Sequence, residues 1–174
     1  MKYLLLVICF IFTGQVRSIE LEFNNEVDCF AMAIYFEARS EILTAQVAVA
    51  ESLLTRIKNS KHYPDSSCAN ITRKKWSRKH NKHVCAFEWY CAGQVTLDLR
   101  SKAERRAWNQ AVLLAQKYLS SYPPSLVGLE NVSLFHDVSK TPWWAKSESV
   151  RFVAQIGRLK FYEEVRNGKL ITKL

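Results

Sequence analysis

Thirteen residues, Cys29–Glu41, constrain the fold more than any other stretch of the chain. They contain no Gly or Pro, so a helix begun here runs unbroken. Phe30, Ala33 and Ile34 lie seven, four and three residues before Glu37, and on a helix those positions share one face. The spacing predicts a helix ending near Arg39 or Ser40, with Glu37 on its apolar stripe close to the C-terminal end. A carboxylate there has two physical outcomes. It pairs with a cation such as Arg39 and is structural. Alternatively, it sits desolvated in an apolar wall, where a raised pKa lets it donate a proton near neutral pH.

What precedes this helix reads as an export segment. Lys2 is followed by the apolar run Tyr3–Thr13, eleven residues and short for a bilayer span, then by Val16-Arg17-Ser18, a small-residue cleavage pattern. Residues 1–18 are therefore expected to be a signal peptide, and 19–174 a single catalytic domain with no stable membrane span after cleavage. Cleavage removes Lys2 and Arg17 and no acid, so the net charge falls from +9 to +7. Such a protein favours anionic partners. It also leaves four cysteines, Cys29, Cys68, Cys85 and Cys91. An even count in an exported chain predicts two disulfides, with three connectivities open; the expectation is that Cys68 joins the Cys85/Cys91 segment. A zinc site from His80, His83, Cys85 and Cys91 is the alternative, though the spacing matches no standard zinc pattern.

Farther along, Thr44 is a plausible N-cap for a helix over 44–58, in which Val47, Ala50, Leu54 and Ile57 recur at helical spacing. Residues 66–100 show no clear period. They hold a basic run, Arg73, Lys74, Lys75, Arg78, Lys79 and Lys82, interleaved with Trp76, His80 and His83. The alternation in Cys85–Cys91 suits a short strand or a disulfide-pinned loop. Ser101 and Glu104 form a capping box for a helix closed by Pro123-Pro124. Strands follow: Asn131–Val138 reads as extended, and Arg151–Ile156 and Leu159–Glu163 flank a Gly157-Arg158 turn. Helices early and strands late predict an α+β fold with a small antiparallel sheet. Asn70-Ile71-Thr72 and Asn131-Val132-Ser133 match the glycosylation sequon.

The chemistry is narrowed by what the chain lacks. There is no Gly-rich phosphate loop, no HExxH and no GxSxG, and no cofactor is expected. Bridged cysteines are poor nucleophiles, so carboxylates remain. Glu37 is best placed to act first as acid and then as base in glycoside cleavage. Glu41, Glu51 and Glu88 are candidates for a second carboxylate. A secreted nucleic-acid-binding or nuclease protein, using the basic Trp-containing loop, is the reading from another class; a catalytically dead wall-binding module is a third.

Several segments together carry a family resemblance. Ala33–Glu41, Gln46–Ala50 and Thr55-Arg56-Ile57 are similar to the signature of the SleB-type cell wall hydrolases, the spore cortex-lytic family. Cys85–Gly93 resembles that family's middle motif. Phe135-His136 with Pro142–Ala145, and Ile156-Gly157 with Phe161-Tyr162, resemble its later ones. The resemblance implies a lysozyme-like domain that cuts peptidoglycan glycan as a lytic transglycosylase, with Glu37 as catalytic acid/base. Muramidase-type hydrolysis and N-acetylmuramoyl-L-alanine amidase activity are the alternatives. Substrate-binding positions are then Glu41, Gln46, Phe87, Trp89, His136 and Trp143, with Phe87 packed into the core behind the others. The implied protein is a monomer that binds peptidoglycan and no nucleic acid, in the periplasm, the cell wall or secreted. Ser40, Ala45, Ala86, Glu88, Ala92 and Leu159 depart from the family pattern.

Overall fold

Helix α1 (Glu26–Ala38) is the centre of the molecule, and its sequence explains why. Every residue from Cys29 to Tyr35 is buried, so the helix is apolar all round rather than along one stripe. Asn25 caps it, its side chain accepting from the Val27 and Asp28 amides. Ala31 and Ala33, fully buried, let neighbouring helices approach closely; Phe30, Met32 and Ile34 fill the space between them. Each of these larger side chains contributes about 1.5–3 kcal/mol by leaving water.

In this computed structural model residues 19–20, 23–77, 81–93, 96–123, 125–166 and 169–170 are described. The expected export segment 1–18, and Arg78, Lys79 and His80 of the basic run, lie outside them. Around α1 pack α2 (Leu43–Lys58), the short α3 (Ser67–Thr72) and the long α5 (Lys102–Ser121). A four-residue helix α4 (Glu88–Cys91) lies between them in sequence. The strands are β1 (Ile19–Glu20), paired with β4 (Thr96–Leu97), and the hairpin β2 (Lys74–Ser77) with β3 (Lys82–Cys85). Late in the chain, β5 (Val132–Asp137), β6 (Val150–Ile156) and β7 (Leu159–Arg166) form an antiparallel sheet in the order β5–β7–β6. A short β8 (Lys169–Leu170) pairs with β7, and a 3₁₀ turn spans Trp143–Lys146. The fold is α+β. Among the described residues no helix is long and apolar enough to cross a membrane.

Two contacts fix the end of α1 that carries Glu37. Tyr35 donates its hydroxyl to Glu104 at the start of α5, and burial, with that carboxylate, pushes the phenol up to about 12. Arg39 lies 5.0 Å from the Tyr35 ring centroid and 3.6 Å from the same carboxylate. The Glu104 amide meanwhile donates to Ser101 Oγ, as a capping box requires, although its side chain is given to α1. After α1 the chain turns sharply. Gln46 Nε2 donates to the Glu41 carbonyl at 3.0 Å, and Glu41 Oε2 accepts from the Arg158 amide at 2.9 Å. The turn between α1 and α2 is thereby tied to the β6–β7 hairpin. Gly157 is required there: its φ is +59°, and a Cβ would stand 2.2 Å from Glu41 Oε2.

Two sequence expectations are corrected, the disulfide pairing and the Thr44 cap, and two others are sharpened. The disulfides are Cys29–Cys68 and Cys85–Cys91. Cys68 goes to α1 because the Glu26 carboxylate accepts from the Ser67 amide at 2.5 Å, seating the start of α3 beside the first turn of α1. Cys85 and Cys91 consume each other, which removes both as zinc ligands. The segment between them is pinned by that bridge, the second of the two sequence alternatives, and turns as α4 rather than running as a strand. Helix α2 starts after Ile42 with no side-chain cap, so Thr44 lies inside it. Finally, Asn70 is buried and donates to the Pro64 and Ser66 carbonyls, so the first sequon is committed to packing.

Candidate active site

Glu37 occupies the last turn of α1, partly open to solvent, with Tyr35 and Ala38 buried beside it. Its carboxyl is pushed up from the ordinary 4.5 to about 7. Burial is the main cause. The Arg56 guanidinium pulls the other way, as does the Trp89 indole; Glu88 raises the value and Lys140 lowers it. No ion pair to Glu37 occurs among the described residues. An acid titrating there is half protonated near neutral pH, which suits a group that must give and then take a proton.

Three segments deliver those neighbours. Trp89, from α4, stacks on Phe36 with centroids 4.6 Å apart and 26° between planes. Its indole N–H faces the Glu37 carboxylate without reaching full hydrogen-bond geometry, and among the described residues it has no other partner. The adjacent residue, Glu88, is bound to Lys140 at 2.7 Å, both side chains well exposed. Lys140 follows the end of β5, so this pair spans from α4 to the sheet. Arg56, from α2, is buried. Its Nε donates to the Ser133 carbonyl on β5 at 2.6 Å, and its guanidinium lies 5.3 Å from the Phe87 ring, 5.7 Å from Phe135 and 5.8 Å from Tyr63. Burial works against its charge, while Tyr63, Glu37 and Glu164 favour it. Tyr63 in turn donates to Glu164, and burial holds that phenol up at about 12.

The expected site residues separate into groups. Glu37, Phe87 and Trp89 come together; Phe87 is buried, and so is Trp89, which forms a wall behind the acid rather than an open platform. Glu41 and Gln46 hold the turn just beyond Glu37, as described above. His136 belongs to another cluster. On β5, Phe135 pairs with the core residue Phe161, so His136 faces the other side of the strand. There its Nε2 lies 3.0 Å from the Tyr162 hydroxyl, its ring stacks on Tyr162, and Trp144 meets it edge-on. Trp143 is 69 % exposed. Of the candidate second carboxylates, Glu88 is the one among the main influences on Glu37. Glu51 is buried elsewhere, accepting from Tyr118 and from the Leu126 amide, and Glu41 is taken by Arg158.

The family model for cell wall hydrolases matches residues 40–162 of the 174. The chain belongs to the cell wall hydrolase family. No curated protein and no solved structure matches it. The match begins at Ser40, three residues beyond Glu37, so the acid itself is singled out by its surroundings. The family implies a peptidoglycan substrate. Beside Glu37 stand Arg56 and Lys140: sequence reasoning met Arg56 only within the Thr55-Arg56-Ile57 motif, without a role, and did not single out Lys140. Arg56 had a signal: a cation directly amid Leu53, Leu54 and Ile57. Lys140 had none, since its role comes from Glu88, 52 residues away.

Proposed function

We propose that this cell wall hydrolase cleaves the glycan strand of peptidoglycan as a lytic transglycosylase, with Glu37 as the single acid/base. The observation that carries the reading is one carboxyl group, desolvated and titrating at about 7, while Glu88, the carboxylate that raises its value, is tied to a lysine. Protonated Glu37 gives its proton to the glycosidic oxygen between N-acetylmuramic acid and N-acetylglucosamine. The C1–O bond breaks, and positive charge develops on C1 and the ring oxygen. Glu37, now a carboxylate, takes the proton from the C6 hydroxyl of the same muramic residue as that oxygen bonds to C1. The product is a 1,6-anhydro ring, no water is consumed, and Glu37 is left protonated again. One carboxyl suffices because the nucleophile belongs to the substrate.

Glu88 supports a second reading. It is the one candidate carboxylate among the main influences on Glu37, and a muramidase needs such a group to activate water or attack C1. The two disulfides suit an oxidising compartment, in keeping with action outside the cytoplasm after export.

Digestion of purified peptidoglycan tests both readings. Mass spectrometry should find muramic ends one water lighter than reducing ends, and Glu37→Gln should abolish their release. Reducing ends that vanish in Glu88→Gln would establish the muramidase instead. Free stem peptides would show an amidase, and lysis undiminished in Glu37→Gln would end the assignment to Glu37.

A further inference from the structure

The β2–β3 hairpin takes no part in the site described above, yet its composition is unusual for an arm in water. Among the described residues each strand pairs only with the other, in the register Lys74↔Cys85, Lys75↔Val84, Trp76↔His83 and Ser77↔Lys82. A two-stranded ribbon is marginal by itself. This one is pinned at its base by Cys85–Cys91 and by the Ala86 amide, which donates to the Arg73 carbonyl at 3.0 Å. The same disulfide joins it to α4, whose Trp89 and Glu88 border Glu37. The arm is thus a direct extension of the site wall.

Its surface has two properties. No Asp or Glu occurs between Asp65 and Glu88, so the cations of the arm have no local counter-charge. Lys74, Lys75 and Lys82 are exposed, and among the described residues no carboxylate pairs with them. Trp76 is 51 % exposed in the middle of β2, meeting His83 edge-on at 5.1 Å. Alternation along the strand puts Lys74 on the same face as Trp76, and Lys74 lies 5.3 Å from the Tyr90 ring of α4. An aromatic platform flanked by cations therefore continues from the helix beside Glu37.

We propose that this hairpin is an accessory binding site for the peptidoglycan strand itself. Trp76 stacks on a sugar face, and Lys74, Lys75 and Lys82 take the free carboxylates of the stem peptides. The inference rests on the peptidoglycan reading. Charge complementarity admits any anionic polymer, and continuity with the Glu37 wall, through Cys85–Cys91 and Tyr90, favours this occupant over a nucleic acid. The ligand would lie outside the cleft and hold the enzyme on an insoluble polymer between cuts.

The test uses the full chain carrying Glu37→Gln, so that the ligand survives. The probe is purified sacculi stripped of attached phosphate polymers, and bound protein is measured by sedimentation. Trp76→Ala should weaken binding roughly tenfold, as truncation of an aromatic anchor does. The triple Lys74→Gln, Lys75→Gln, Lys82→Gln variant should weaken it similarly and flatten its salt dependence. An unchanged melting temperature in both variants separates lost binding from lost fold; if either melts early, Lys75→Gln/Lys82→Gln, on the face away from Trp76, replaces it. Sedimentation equal to that of the parent would overturn the proposal. So would a loss seen only on sacculi that keep their phosphate polymers, or tighter binding to duplex DNA than to sacculi. Failure here leaves fragment release by the unmutated chain untouched, so the two readings fail separately.

Discussion

Replacing Glu37 by Gln should abolish lysis and stabilise the fold, and the gain should depend on pH. Glutamine keeps the shape of the protonated acid but never ionises. Folded Glu37 titrates at about 7, against 4.5 for a free side chain. Below the lower value the acid is protonated whether the chain is folded or not, and burial carries no ionisation penalty. As pH rises, the unfolded chain ionises first, and the folded state loses stability until both are ionised above about 7. Converted at 1.36 kcal/mol per pH unit, the full penalty is about 3 kcal/mol; the partial opening to solvent trims it to about 2–3 kcal/mol. The assay is urea unfolding of parent and variant, disulfides intact, at about pH 4 and about pH 8. Comparing the two proteins at one pH cancels every other titrating group. The variant should match the parent in acid and exceed it by about 2–3 kcal/mol in base. An equal difference at both pH values, or a variant weaker at the higher one, would show that burial does not hold the acid protonated.

The same titration should appear in kinetics: kcat/KM should level off below about pH 6 and fall about tenfold between about pH 6 and pH 8, a profile measured by turbidity loss of sacculi. Arg56→Met removes a charge that lowers the Glu37 value, so the alkaline limb should move to higher pH. It also leaves the Ser133 carbonyl unpaired, costing about 1–3 kcal/mol in urea unfolding. Gly157→Ala should destabilise by about 2–3 kcal/mol, combining a left-handed Ala with the loss of the Glu41–Arg158 hydrogen bond; a change under about 0.5 kcal/mol would contradict that close approach. Replacing Cys29 and Cys68 by Ala should cost about 4 kcal/mol, against about 2 kcal/mol for Cys85 and Cys91, because the first bridge closes a 39-residue span and the second a 6-residue one. Equal losses in chemical unfolding would refute the loop-entropy account.

What the sequence disclosed was whatever local chemistry decides. The Ser101 cap, the unbroken apolar run in α1 and the Gly157 turn are each specified within a few neighbouring residues, and all three formed as read. The disulfides were misread because α3 carries no periodic signal in its six residues; it is seated by a carboxylate 41 residues earlier. Helix α4 is four residues pinned by a bridge, so neither propensity nor alternation describes it. Glu41 was expected among the substrate-binding positions from the family resemblance; the structure adds a partner that no spacing rule reaches, the Arg158 backbone amide 117 residues away.

Whether Glu37 is structural or an acid turns on which groups hold the nearby arginines. Two are close in sequence or space, and either could have drawn the carboxylate into an ion pair. Such a pair lowers a carboxyl pKa below its ordinary value and leaves no proton to give at neutral pH. Arg39 is occupied by the Tyr35 ring and Glu104. Arg56 is near enough to act on Glu37, but its Nε is spent on Ser133, three aromatic rings surround its guanidinium, and Glu164 and Tyr63 share its field. It supplies a fixed positive potential without becoming a partner. On the proposed mechanism, the acid is therefore stabilised enough to ionise during the reaction and desolvated enough to be protonated before it. That balance requires the rings and the Ser133 carbonyl as much as it requires Glu37.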